Sequence, residues 1–357
     1  MAVAKKIIAA MSGGVDSTVA AAVYQEQGYE VIGVTLRLKH PDPEFSAAQT
    51  CASQSDEETV LAAAAKLGIE HRFLDLYSDF EELILRAAWR EYSSGRTPNP
   101  CTFCNFYIKF GKLLALADEL GAAHVITGHY ARIVAADGIF RLKRGTDPVK
   151  DQTYFLYRLT QKQLARISFP IGEMKKTEVR ALARKLDLKN SDKKDSQDAC
   201  FNTPGECFAE TLRRLFKGDS KPGSFIYQDK VVGKHSGIHQ FTVGQRKGLG
   251  VALGVPGYVS GIDPENGSVR LTTDSNGLMS ESFEICNPNW QGGVSPELPV
   301  KCLVQIRYRS APAPALLESA ADGRFRVVLA DAQRAVTPGQ AAVFYDNDLL
   351  LGGGVII

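Results

Sequence analysis

Two kinds of residue in this chain have the type and spacing to do chemistry. The first is the run Ser12, Gly13, Gly14, Val15, Asp16, Ser17, Thr18, which follows the apolar stretch of residues 7–11. Paired glycines let the backbone turn closely. Loop amides and the N-terminus of a following helix can then point at one anion. Ser12, Ser17 and Thr18 add hydroxyl donors, and Asp16 is placed to bind Mg2+ or to cap the helix. The loop has no Lys, which separates it from the nucleotide loop whose Lys reaches the β and γ phosphates. Such a cradle suits pyrophosphate, the group that leaves when ATP is cut between its α and β phosphates.

The second kind is thiol. Cys101 and Cys104 stand between a Pro-rich turn and a helical pattern, and Cys200 follows the acidic and polar stretch 191–198. A thiol at a helix N-terminus feels the positive end of the dipole, which lowers its pKa. Cys104 is placed for that effect, whereas Cys101 reads equally well as an ordinary half-buried cysteine. Cys207, Cys286 and Cys302 stand in apolar surroundings as small core residues, and nothing pairs with Cys51. His235 and His239 have no partner cysteines at metal spacing and read as surface or turn residues. His129, taken alone, is a strand-end histidine with a structural hydrogen bond.

These groups need a scaffold, and the first half of the chain supplies a strand–helix alternation. The segments 5–11, 30–38, 71–76 and 124–131 read as strands, and 16–28, 55–68, 78–95 and 105–121 as helices, with Ser55 and Glu58 as a capping pair. The expectation is an α/β fold in which helices wrap a parallel sheet, with ligands beyond the carboxyl ends of the strands. A hairpin at 131–145 turns on Asp137 and Gly138. From Arg158 to Lys194 the text is helical and basic, a candidate phosphate track. Tyr154, Phe155 and Tyr157 read as packing. After residue 205, short strands punctuated by Gly, Pro, Asn and Asp indicate small β-rich domains. The expected division is 1–204, 205–280 and 281–357, with a loop-like boundary at 275–282. Gln245, Arg246 and Lys247 lie in an exposed Gly-rich turn.

The 357 residues carry a formal charge of +2, too small to argue for nucleic acid by itself. No apolar run approaches the ~18 residues of a membrane span. The N-terminal apolar stretch is too short for a signal peptide. A cytosolic chain without membrane association is expected, and in that compartment seven cysteines do not build a disulfide framework.

The loop 12–17 resembles that of the ATP-pyrophosphatase superfamily, which has an adenine nucleotide alpha-hydrolase-like fold. Its members adenylate a substrate oxygen and release pyrophosphate. The whole series goes further: SGGVDS (12–17), GRTPNPC, FCN and IKFG (95–111), ITGHYAR (126–132), KDQTYFL (150–156), DACF (198–201), GIHQFTVGQRKGLG (237–250) and TPGQAAVFY (337–345). In this order, across nearly the whole chain, it closely resembles the tRNA-specific 2-thiouridylases, which replace the C2 oxygen of the wobble uridine with sulfur. The chemistry accounts for the residue types. A urea-like carbonyl oxygen leaves poorly until it is joined to AMP, and sulfur must arrive activated.

The resemblance implies that Cys200 receives a persulfide from a sulfur-relay protein and that Cys104 is the nucleophile that frees or resolves it, leaving a transient Cys104–Cys200 disulfide. It further implies ATP contacts from Ala10, Met11, Ser12, Gly13, Gly14, Val15, Asp16, Ser17, Leu36 and Gly128, with Mg2+. Asn99, Pro100 and Cys101 would face the target base. His129, Lys150, Asp151, Gln152, Arg307, Tyr308 and Gln340 would touch tRNA, the last three from a C-terminal β-barrel. Many relatives carry Asp where this chain has Cys101. That departure opens a second route, in which Cys101, Cys104 and Cys200 hold an iron–sulfur cluster. Two rival classes remain. Other ATP-pyrophosphatases, of the amidotransferase or argininosuccinate-ligase type, share the loop but have no reason for Cys104 and Cys200. A sulfur-handling or RNA-binding scaffold has no need of an intact SGGVDS.

Overall fold

The computed structural model describes residues 5–45, 54–193, 200–201, 203 and 205–357; Cys51 and Lys194 lie outside them. Strand β1 (Lys6–Ala10) is central because Ile7, Ile8 and Ala9 are wholly buried and must be covered on both faces. Strands β2 (Glu30–Arg37) and β3 (Glu70–Asp75) pair on one side of it. The chain then returns through β4 (His124–Ile126) on the other side, where the short β7 (Ile167–Ser168) completes the parallel order β3-β2-β1-β4-β7. The reversal between β1 and β4 is the topological switch point, and the loops after both strands meet there.

Helix α1 (Val15–Glu26) follows β1, and α2 (Gln54–Leu67) follows β2. Helix α2 already runs at Ser55, so that residue does not occupy the capping position. The Pro-rich turn is also shorter than its sequence suggests. Pro100 is itself the first residue of a helix that continues to 119, with Asn99 at its N-cap.

The hairpin β5 (Ala131–Ala136) and β6 (Ile139–Arg144) is not an insertion confined to the first domain. Its strand β6 pairs with a strand at the chain's C-terminus. Between the two lies a four-stranded sheet of β8 (Gly223–Tyr227), β9 (Lys230–His235), β10 (Tyr258–Asp263) and β11 (Ser268–Thr272), packed around Phe225, Phe241 and Val269. The last part comprises β12 (Met279–Trp290), β13 (Val300–Gln305), β14 (Ala313–Ser319), β15 (Phe325–Arg334), β16 (Ala341–Asp346) and β17 (Leu349–Ile356). Pairing of β12 with both β15 and β17 closes these six into a barrel, and strand β12 begins inside the stretch read as a loop. The barrel's wall runs on through β17 into β6, so the C-terminal domain is stitched to the α/β domain by a shared sheet. Among the described residues no helix is long and apolar enough to cross a membrane.

Candidate active site

A cavity of about 340 Å³ opens at the switch point. Its wall contains Ala10, Met11, Ser12, Gly14, Val15, Asp16 and Ser17 from the first loop, Leu36 from the end of β2, and Gly128 and His129 from the loop after β4. Lys150, Gln152 and Tyr308 close it from the other side. Thirteen residues expected from sequence at nucleotide or RNA contacts therefore line one chamber.

The loop keeps its shape by internal bonds. Ser17 Oγ donates to Gly14 O at 3.0 Å and accepts from the Ser12 amide at 3.1 Å, and Thr18 Oγ1 also donates to Gly14 O at 3.2 Å. The Ser17 and Thr18 hydroxyls thus shape the loop instead of reaching a ligand. The free donors are amides, because the first turn of α1 leaves its N–H groups without intrahelical acceptors. Gly128 is needed for the approach of the two loops: a Cβ there would lie 2.6 Å from the backbone of Asp16 and of Ser17. This amide cradle at a helix start fits the phosphates of ATP.

Asp16 does not cap α1; Gly14 occupies that place. The Asp16 carboxylate accepts from Lys176 Nζ at 2.7 and 2.8 Å and from the Tyr130 hydroxyl at 2.8 Å. Lys176 is 8% exposed. Gly13, at φ +75°, offers its carbonyl to Asn190 Nδ2 at 3.3 Å and to Lys193 Nζ at 3.4 Å, and Lys193 also pairs with Asp56. Arg180 donates to the carbonyls of Ser191 and Lys193, Arg184 pairs with Asp192, and Arg166 with Asp118. Lys176 and Lys193 thus brace the phosphate loop, while Arg166, Arg180 and Arg184 are engaged with other parts of the chain.

The cysteines sit behind the cavity. Cys104 is 7% exposed within an apolar cluster that includes Leu38, Phe80, Ile84, Leu85, Ile108 and Phe201, and Cys200 packs against the same cluster. Leu38 belongs to that cluster and also lines the cavity, so the two compartments share a wall. Because the helix begins at Pro100, Cys104 lies past the first turn, where the dipole effect has fallen away. Burial dominates and pushes its thiol up to about 11, with Lys109 opposing and Cys101 adding to the rise. The expectation of a lowered pKa is corrected accordingly. Burial likewise raises the Cys101 thiol, opposed by Lys109. Both are free thiols, so Cys104 and Cys200 are not bonded in this structure. Among the described residues no three His, Cys, Asp or Glu groups stand together to hold a metal.

Other expected residues are placed as follows. His129 is buried, hydrogen-bonded to Thr127 Oγ1 at 2.6 Å, and held well below the ordinary histidine pKa by burial and then Lys109; it is neutral at pH 7. The Asp151 carboxylate is buried against Arg144 at 2.7 Å and accepts from the Thr153 hydroxyl at 2.8 Å, which fixes the loop carrying Lys150. Gln152 accepts from the Tyr130 amide at 2.9 Å. Arg307 is exposed and donates to Arg334 O at 2.8 Å. Gln340 reaches the turn before Asn99, Pro100 and Cys101, which start the helix and lie outside the cavity wall.

Tyr154 and Tyr157 are wholly buried. Arg246 and Lys247 are exposed as expected. Cys302 is buried, but Cys207 is exposed at the start of a helix. His239 is not a surface residue: it is buried, 2.8 Å from Glu210, while His235 packs between Phe225 and Phe241. Sequence reasoning gave no individual role to Lys109, Thr127, Lys176, Asn190, Lys193 and Arg309, although Lys109 stands in IKFG, Thr127 in ITGHYAR, and Lys176 and Lys193 in the basic segment.

Residues 5–203 match the family described as tRNA methyl transferase HUP domain, 215–272 the tRNA methyl transferase PRC-barrel domain, and 280–356 the aminomethyltransferase beta-barrel domain. The chain is similar to the tRNA-specific 2-thiouridylase MnmA of Solibacter usitatus (strain Ellin6076), 45% identical over 98% of this chain and 98% of the relative. It is also similar to the tRNA-specific 2-thiouridylase MnmA of Carboxydothermus hydrogenoformans, 43% identical over 99% and 97% of the two chains. A solved 4-thiouridine synthetase–RNA complex with bound ATP covers 60% of this chain and 50% of its own at 17% identity, with a TM-score of 0.37, too slight a likeness to carry weight.

Proposed function

The chain belongs to the tRNA-specific 2-thiouridylase family, and from that premise we propose that it adenylates the C2 oxygen of the wobble uridine in tRNA and replaces it with sulfur carried on Cys200. The observation that supports this most is the shared wall at Leu38, which sets a phosphate cradle on one side and the sulfurs of Cys104 and Cys200 on the other.

In this reading ATP lies with its phosphates on the amides of the loop 10–17. Gly128 allows the close approach, and Mg2+ accompanies the nucleotide. The uracil O2 attacks the α phosphorus, pyrophosphate leaves, and C2 then carries AMP as a leaving group. Cys104, as thiolate, attacks the Cβ-linked sulfur of the Cys200 persulfide. A Cys104–Cys200 disulfide forms and hydrosulfide departs. Hydrosulfide adds at C2, AMP is expelled and the C2–S bond remains. An external thiol reduces the disulfide after each turnover. Asn99, Pro100 and Cys101 face the flipped base, as is general for enzymes acting on bases. His129, Lys150, Gln152, Arg307 and Tyr308 border the RNA, with Asp151 holding Lys150 in place. A sulfur-relay protein loads Cys200.

The test uses purified full-length chain with ATP, Mg2+, tRNA and a sulfide or persulfide source. The expected products are AMP, pyrophosphate and 2-thiouridine, the last measured by mass spectrometry of digested tRNA. The C200S variant keeps AMP formation and loses persulfide-dependent thiolation. ADP in place of AMP, or full thiolation by C200S from a protein persulfide donor, would refute the reading.

A further inference from the structure

The helix of residues 100–119 is π-helical from Cys104 to Lys112. In a π-helix the backbone bond joins i to i+5, so residues five apart stack on one face; in an α-helix they point about 140° apart. The distortion therefore brings Lys109 into line with Cys104. Lys109 also lines the nucleotide cavity.

Lys176 and Lys193, two lysines beside the phosphate loop, are tied to Asp16 and Asp56. Lys109 makes no hydrogen bond or ion pair among the described residues, although it is half-buried. A partly buried cation without a counter-ion is unfavourable until an anion arrives. Its field acts on three neighbours, Cys101, Cys104 and His129.

We propose that Lys109 is a catalytic residue of both half-reactions: its ammonium lies against the phosphate that joins the uracil oxygen to AMP, and against the Cys104 sulfur once that sulfur is an anion. The assignment rests on the thiolation reading above. In the first step negative charge on the α-phosphate oxygens meets the unpaired cation. In the second the Cys104 S–H bond breaks, the proton passes to water, and the sulfur keeps the electron pair with which it attacks Cys200. Lys109 stays protonated throughout, so one charge serves both steps. Neutral His129 beside it leaves that charge undiluted.

The test compares wild type with K109M and K109Q in the full-length chain, each confirmed folded by its thermal midpoint. Iodoacetamide labelling of Cys104, read on its peptide by tandem mass spectrometry at pH 8, is expected to slow about tenfold, one pH unit's worth of thiolate. The tRNA-dependent turnover to AMP falls at least tenfold, and K109R recovers part of both. Wild-type labelling rates in K109M and K109Q, or undiminished AMP formation in either, would overturn the proposal. Should wild type itself form no AMP, the thiolation reading fails while the labelling still decides whether Lys109 governs Cys104.

Discussion

The side-chain amide of Gln340 donates to the carbonyl of Thr97 at 2.9 Å, and it reaches Pro98 O at 3.1 Å. The Thr97 amide in turn donates to Pro338 O at 2.9 Å. Gly339, at φ +91°, packs so closely that a Cβ would lie 2.8 Å from Thr97 O. Thr97 Oγ1 also bonds Thr242 Oγ1 at 3.0 Å in the central domain. Two β domains thus hold the turn that aims Asn99, Pro100 and Cys101.

The first prediction concerns this strap. Q340L removes the amide that donates to both carbonyls and leaves two part-buried acceptors unmatched, at up to about 1–3 kcal/mol each. Turnover with tRNA should fall about tenfold or more while the KM for ATP changes less than twofold. Amides 96–101 should exchange hydrogen faster in the absence of RNA, which a residue whose only task is RNA contact would not cause. Unchanged exchange there would remove the strap from the account.

The second prediction is steric. G128A places a methyl 2.6 Å from the backbone of the first turn of α1, so the turn must move. ATP affinity should drop at least tenfold by calorimetry, with a smaller loss of thermal stability. Wild-type affinity would mean that the loops approach each other less closely than described.

Much of this site was legible because it depends on local residue type. Gly13 and Gly14 mark the phosphate loop by residue type, Gly128 entered through the resemblance of ITGHYAR, and the strand–helix alternation around β1 and β2 needs no distant information. The misread residues depend on partners far along the chain. Cys104 looked activated because its sequence neighbours place it near a helix start, but its pKa is set by Phe80, Ile84 and Phe201, which no spacing rule connects to it. His239 looked exposed for lack of nearby partners, and its partner Glu210 lies 29 residues away. The hairpin of β5 and β6 was readable as a hairpin, whereas its pairing with β17 spans two hundred residues.

The Glu210 pair gives a prediction with a definite sign. Arg213 first, against some burial, and then His239 and Gln240 hold the Glu210 carboxyl down at about 2, from an ordinary 4.5. A depressed carboxyl stabilises the fold fully above the unfolded pKa and loses that contribution as pH falls toward the folded value. The window is therefore about pH 4.5 down to 2. Trp89 packs edge-on against His239 at 5.5 Å and reports on this contact. In a W290F background, urea unfolding followed by Trp89 fluorescence should weaken between pH 5 and 3, by at most about 1.4 kcal/mol per unit. E210Q should start less stable and show a shallower slope. Equal slopes in the two proteins would show that other carboxylates govern the acid side.

Phe201 anchors the segment beside Cys200. It is wholly buried with its backbone at φ +71°, a conformation rare for a bulky side chain, so surrounding contacts must hold it there. Those contacts are aromatic: His40, Phe45, Tyr77 and Phe80 have ring centroids 6.3, 6.3, 6.4 and 6.5 Å away. F201A deletes the ring from the middle of this cage and should cost about 3–5 kcal/mol of stability, F201L distinctly less. The cradle on the far side of Leu38 keeps its own bonds, so tRNA-dependent AMP formation should survive in F201L. Sulfur transfer should not survive to the same degree, because Cys200 loses the neighbour that fixes its approach to Cys104. Single-turnover 2-thiouridine formation, measured with AMP release in the same samples, separates the two. Equal losses in both steps, or none in either, would mean that the cage does not position the sulfur carrier.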